Sequence, residues 1–151
     1  MKSWRTALLS AVCASFASGV FAQSPNSGQL FMQHCSVCHQ ADGSGVPGVT
    51  PPLKGAHWKR LLSHDGTYVL EVLLYGLNGK IEVAGDSYNG VMPSFSKLTD
   101  TELALLVQHV NRLNNDSVRA AQPLNEARVA ELRGRELKSK MREKRALLLK
   151  D

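Results

Sequence analysis

The chain of 151 residues predicts an all-α fold with long loops and at most a tiny β-hairpin. Three observations carry this expectation. Asn26 with Gln29, and Thr99 with Glu102, have the spacing of capping boxes that open helices. After the second box, Leu103, Leu106, Val107, Val110 and Leu113 recur as one helical face. Alternation of apolar and polar residues, the mark of strands, is confined to the neighbourhood of Ile81 and Val83.

The elements follow in chain order. Lys2 and Arg5 give a positive start, Ala7 to Val20 is small and apolar, and Val20-Phe21-Ala22 has small residues where signal peptidase cuts. Residues 1–22 therefore read as a secretory signal peptide removed before Gln23. The apolar run is short for a bilayer span, and an uncleaved anchor is the alternative. Val12 is too large for the position before a lipidated Cys13. No later segment is apolar enough to cross a membrane. The remainder divides into a compact domain over 23–115 and an extension over 116–151.

Asn26 caps the first helix, which runs through Leu30 and Phe31 into Cys35-Ser36-Val37-Cys38-His39. The glycines between Asp42 and Gly48 end it. Pro51-Pro52-Leu53 is stiff and extended, because proline fixes its own φ and restrains the residue before it. Asp65 or Thr67 opens a second helix with Tyr68, Val69, Val72 and Leu73 on its buried side and Leu61 and Leu62 upstream. Gly76 ends that helix. Asn78-Gly79 and Asn89-Gly90 read as turns enclosing one short strand. The capped helix from Thr99 closes the domain.

The C-x-x-C-H run at Cys35, Cys38 and His39 carries the chemistry. Residues three apart share one side of a helical turn. Both thiols can then reach the two vinyl groups of one porphyrin, and His39 is placed to bind its iron. The spacing thus implies one covalently attached haem c. The cysteine count agrees. Of three cysteines, Cys13 falls in the signal segment. A disulfide scaffold needs a larger even set. Structural zinc needs four ligands, which nothing here completes, and a thioredoxin-like pair needs a βαβ setting. A porphyrin also explains the loops. Loops this long are uncommon in a compact domain unless functional, and burying them on apolar haem at roughly 25 cal/mol per Å² supplements a thin helical core.

The iron's second axial partner is sought among the methionines. Met1 is lost with the leader, Met32 is one turn from Cys35, and Met141 is in the extension. Met92 stands in Asn89-Gly90-Val91-Met92-Pro93, where glycine permits close approach and proline stiffens the loop. A plain packing role is the alternative for Met92. The rival histidines are His34, His57, His64 and His109, each readable as a surface or packing residue. A His/Met pair suits electron transfer.

These motifs together resemble the class I cytochromes c of the small bacterial monohaem kind. The resemblance runs from about Asn26 to Leu113. It rests on Cys35 to His39, on Pro51-Pro52-Leu53-Lys54-Gly55, on Gly79 to Met92 with Tyr88-Asn89-Gly90-Val91-Met92-Pro93, and on the capped last helix. It implies a cytochrome c fold with crossing N- and C-terminal helices. It implies that Pro51 offers its carbonyl to His39 Nδ1–H, that Leu53 packs on the haem, and that Tyr88 belongs to the haem environment. Gly28 and Phe31 are expected at the helix crossing, with His109 where the family usually has an aromatic. Trp58 is read either as a donor to a haem propionate or as packing. Leu77 to Pro93 is most similar to cytochromes that accompany periplasmic dehydrogenases and reductases.

Most of the net charge of +5 comes from the extension. Residues 23–115 hold six Lys and Arg against seven Asp and Glu, whereas residues 116–151 hold ten against six. The extension has no aromatic residue, and nucleic acid is not an expected partner. Asp116 to Pro123 reads as a linker. Leu124 to Lys150 is helix-forming apart from Gly134, with Ala130, Leu137, Met141 and Leu148 on one face. It reads as a solvated extension, or as a basic helix that docks on a partner or an anionic membrane surface. The functional expectation is a periplasmic carrier of single electrons between redox proteins such as a dehydrogenase, reductase or oxidase. It would dock through a mostly apolar patch with few charges, from Lys54, Lys80 and Lys97. A dedicated subunit of a dehydrogenase or reductase, and a haem enzyme or gas sensor with an open iron, are the rivals.

Overall fold

The computed structural model describes residues 26–63, 67–114, 124–134 and 141–149. The signal segment, the linker, His64, Asp65 and most of the basic run lie outside them. The chain opens with α1 (Ser27–His34) and the single turn α2 (Ser36–His39). Asn26 accepts from Gln29 N–H and Gln29 returns the bond, so the capping box is complete. Next come α3 (Ala56–Ser63) and α4 (Tyr68–Tyr75), then β1 (Leu77–Val83) and β2 (Asp86–Met92). The domain ends with α5 (Asp100–Leu113), opened by the reciprocal Thr99–Glu102 box.

Two sequence expectations need correction. The Asn-Gly pairs are not the hairpin's turns. Gly79 faces Gly90 across an antiparallel ladder that also pairs Leu77 with Met92 and Ile81 with Tyr88. The chain reverses at Ala84-Gly85, where φ is 52° and 92°, the double positive φ that a two-residue hairpin turn demands. Gly79 does adopt a positive φ, 84°, but stays within the strand. Second, Leu61 and Leu62 do not merely precede the second helix. They belong to α3, a helix of their own, with Trp58.

α1 crosses α5, and α4 packs on α5 behind them. Leu30, Phe31, Leu61, Leu70, Leu103, Leu106 and Val107 are fully buried there. At the crossing Phe31 stacks on His109, ring centres 4.3 Å apart and planes 22° apart. Arg112 reaches Ser27 Oγ. A methyl at Gly28 would meet only Asn26 Oδ1, at 3.4 Å, and nothing on α5. Of the two residues expected at the crossing, Phe31 makes the contact with α5.

The extension folds back. α6 (Glu126–Arg133) lies on α5, and α7 (Met141–Leu148) lies against α3, α4 and β1. Among its described residues Leu124, Val129, Leu132, Arg145 and Leu148 are buried, whereas Ala130 is exposed. Of the helical face expected from sequence, Leu148 is buried and Ala130 is not, while Leu137 and the Met141 side chain lie outside the described residues. Arg133 fastens α6 by bonding Asp100 Oδ1 at 2.7 Å and the Leu98 carbonyl at 2.8 Å. Among the described residues no helix is long and apolar enough to cross a membrane.

Candidate functional site

Cys35, Cys38 and His39 share one helical turn. The Cys35 N–H still bonds the Phe31 carbonyl at 2.8 Å, while its own carbonyl accepts from Cys38 and His39 at 3.2 and 2.9 Å. Gln40, with φ 62°, then turns the chain away. Cys35 and His39 are buried and Cys38 is exposed. No disulfide joins them. Burial, and secondarily the neighbouring Cys38, push the Cys35 thiol up to about 11. A thiol held there is mostly protonated at neutral pH and ill suited to disulfide exchange.

His39 points its Nδ1 at the Pro51 carbonyl, 3.0 Å away. A carbonyl can only accept, so Nδ1 carries the proton and Nε2 keeps its lone pair. Burial lowers the His39 pKa against the opposing pull of that bond, so the ring is neutral and competent to bind a metal. Pro51 is itself held from several sides. Val46 and Thr50 form an isolated bridge, Gly45 N–H bonds the His39 carbonyl at 2.9 Å, and Asn114 Nδ2 donates to the Leu53 carbonyl at 2.9 Å.

Two adjoining cavities open beside this turn. The smaller, about 60 Å³, is lined by Leu53, Trp58, Tyr68 and Val72, with Arg145 as its one Lys, Arg, Asp or Glu. The larger, about 350 Å³, is lined by Cys38, Gly79, Tyr88, Gly90 and Val91, among others. Cys35, His39, Pro51, Ile81 and Met92 line both. Met92, at the end of β2, is half-buried.

The sequence candidates thus converge on one slot. Trp58 lines it but donates its indole N–H to the Pro52 carbonyl at 2.9 Å, so that donor is already engaged. Among the rivals, His34 lines the larger cavity but not the smaller, while His57 and His109 line neither. Met32 is exposed. Three contributors escaped the sequence reading. Asn114 has the signal of a residue just past a helix. Gly45 has none beyond its glycine-rich setting. Arg145 lies in a run of similar basic residues that gives no hint which one points inward.

These residues fit a porphyrin. The walls are apolar, the neutral imidazole and a thioether offer soft donors, and paired glycines leave room against the hairpin. Among the described residues no group of three His, Cys, Asp or Glu side chains converges as a separate metal site.

Comparison with known proteins agrees with this geometry. The sequence model of the cytochrome c family matches residues 26–114. One cytochrome c-552 of Thermus thermophilus is 40% identical over 123 residues, covering 79% of this chain and 82% of the relative. A second Thermus thermophilus cytochrome c-552 is 41% identical over 114 residues, covering 73% and 86%.

Proposed function

Because the chain belongs to the cytochrome c family, we propose that Cys35 and Cys38 hold its haem as thioethers and that His39 and Met92 bind the iron. The protein is a monohaem electron carrier with covalently bound haem c, not an enzyme. The observation that most supports the ligand set is the convergence of the buried Cys35–His39 turn and Met92 on the same apolar slot. The bound haem supplies a one-electron Fe(III)/Fe(II) couple. The chain's residues set how that couple behaves. The Pro51 carbonyl fixes the His39 ring and makes it a stronger donor. Met92 as the second ligand would raise the potential relative to harder ligands. Buried walls exclude water.

Electrons leave where the slot meets the surface. Cys38 is exposed there, and Val37 and Val91 are 88% and 80% exposed. Two of the three lysines expected to add charge are paired, Lys54 with Asp42 at 2.7 Å and Lys80 with Glu82 at 3.0 Å. We read this as an apolar docking patch for a periplasmic redox partner, reached after export directed by residues 1–22. The described part of the extension packs on its own domain, which favours a free carrier over one tethered through its tail.

The test is the mass and spectrum of the exported protein. We expect a chain starting at Gln23, heavier than its amino acids by one haem, with the far-red sulfur-to-iron transition in the ferric state. Met92→Ala should lower the potential and let the reduced protein bind carbon monoxide quickly. A product of bare polypeptide mass overturns the reading, and a haem protein indifferent to Met92→Ala overturns the ligand alone.

A further inference from the structure

The end of α4 is joined to the segment that carries Met92. The last carbonyls of a helix have no partner inside it. In α4 the Val72 carbonyl takes the Gly76 N–H at 2.8 Å, and the chain then leaves for β1. The Leu73 and Leu74 carbonyls are taken by residues that follow Met92. The Phe95 N–H bonds Leu73 at 2.7 Å, and the Ser94 hydroxyl bonds Leu74 at 2.6 Å. The Ser96 N–H, at 3.2 Å, and the Ser96 hydroxyl, at 3.0 Å, both face Ser94 Oγ. A carbonyl only accepts, so the Ser94 proton goes to Leu74 and Ser96 supplies the other protons. Gly76 completes the junction. Its φ is 74°, and a Cβ there would stand 2.7 Å from the Met92 carbonyl oxygen and 3.3 Å from Ser94 N. Without one, the helix end and the Met92 segment lie backbone to backbone.

These contacts all fall within three residues of Met92. α4 is a fixed base for them, buried at every residue from Tyr68 to Leu74. Its Val69, Val72 and Leu73 also wall the smaller cavity. The other support of Met92, its pairing with Leu77, belongs to the two-stranded hairpin. Pro93 has no N–H to give, so Ser94 is the first residue after Met92 able to donate. We propose that Ser94 is a positioning residue for Met92. Its hydroxyl anchors the segment to α4 and so keeps the thioether on the iron. This rests on the reading of Met92 as the second ligand. Without the hydroxyl, the junction relies on the Phe95 N–H, and the segment lifts from α4 more often. One neutral hydrogen bond of this kind changes such an opening equilibrium by about two- to tenfold.

The test measures carbon monoxide uptake by the reduced full-length holoprotein, and the far-red sulfur-to-iron transition of its ferric form. The native protein should take up carbon monoxide slowly and show the transition. In Ser94→Ala, uptake should be faster by about fivefold, the middle of the range for one lost bond, and the transition should weaken. Ser94→Thr keeps the hydroxyl and should behave as the native protein does. Ser94→Val has the shape of threonine without the hydroxyl and should behave as Ser94→Ala does. It decides the matter if Ser94→Ala does not accumulate. Variants that lose stability in urea but keep native uptake and a native transition overturn the proposal, because the bond then serves the fold and not the ligand. Ser94→Thr as fast as Ser94→Val overturns it too. In both cases the ligand reading stands. A native ferric spectrum without the transition overturns the ligand reading, and this inference with it.

Discussion

Gly45 shows how a residue with no side chain can hold His39, the proposed ligand, in place. Its φ is 68°, and its N–H ties the His39 carbonyl. A Cβ there would press into the Thr50 carbonyl and come 2.8 Å from both the carbonyl carbon and the oxygen of Pro51. Backbone must then move, and the backbone that moves is the acceptor of the His39 Nδ1–H bond. Gly45→Ala should destabilise the holoprotein by about 2 kcal/mol in denaturant titration, the usual scale for a side chain forced into this region. The potential should also rise, since a less firmly hydrogen-bonded imidazole donates less to ferric iron. An unchanged potential would mean that Pro51 does not tune His39. The sequence singled out Cys35, Cys38, His39 and Met92, which the fold brings to one slot, because the attachment and ligation proposed for them would dictate their type and spacing. It did not single out Gly45, Asn114 and Arg145, because each acts on atoms that only folding brings near.

At the scale of elements, the legible features were those whose determinants are local. Both capping boxes are read within four residues, and both form. The hairpin turn was missed because Asn-Gly reports a tolerance for positive φ, not a commitment to reverse direction. The reversal was settled by the pairing of Leu77 with Met92. α3 was missed because its start follows a proline-rich segment without a capping residue. The start of α5 also has an acid limb. The Thr99 backbone N–H, then its hydroxyl, hold the Glu102 carboxyl below its ordinary value of 4.5. Such a depressed carboxylate stabilises the fold above that value, and the benefit is lost as pH falls through the lower folded pKa. Thr99→Ala should therefore cost about 1 kcal/mol at neutral pH. The gap from the parent protein should narrow in unfolding measured progressively below pH 4.5, as Glu102 protonates. A gap independent of pH would show that the Thr99 hydroxyl's bond to the carboxylate contributes nothing, since the backbone N–H bond survives the change.

For the molecule as a whole, the extension was the least legible part, and the reason is physical. α6 and α7 are eight residues each, too short to form alone, so the surface they land on decides their buried faces. Their sequence shows basic charge, and the charge suggests solvent or an external partner. Instead, Val129 and Leu132 are fully buried, and the extension is pinned to α4 through Glu71, 3% exposed, which receives Lys144 Nζ at 2.7 Å on Oε1. Lys144→Met should leave that buried carboxylate facing only Thr67 and cost about 2–4 kcal/mol, the range for breaking a buried pair from one side with some relief from solvent near Lys144. Glu71→Leu combined with Lys144→Met removes the stranded charge as well as its partner. The double variant should recover most of the loss in urea unfolding of the holoprotein. Recovery in the double variant separates a desolvated ion pair from mere packing of α7, because lost packing would persist or deepen when both side chains change. If the single change costs nothing and the double change nothing more, the extension is not held by this pair, and its docking rests on Val129, Leu132 and Arg145.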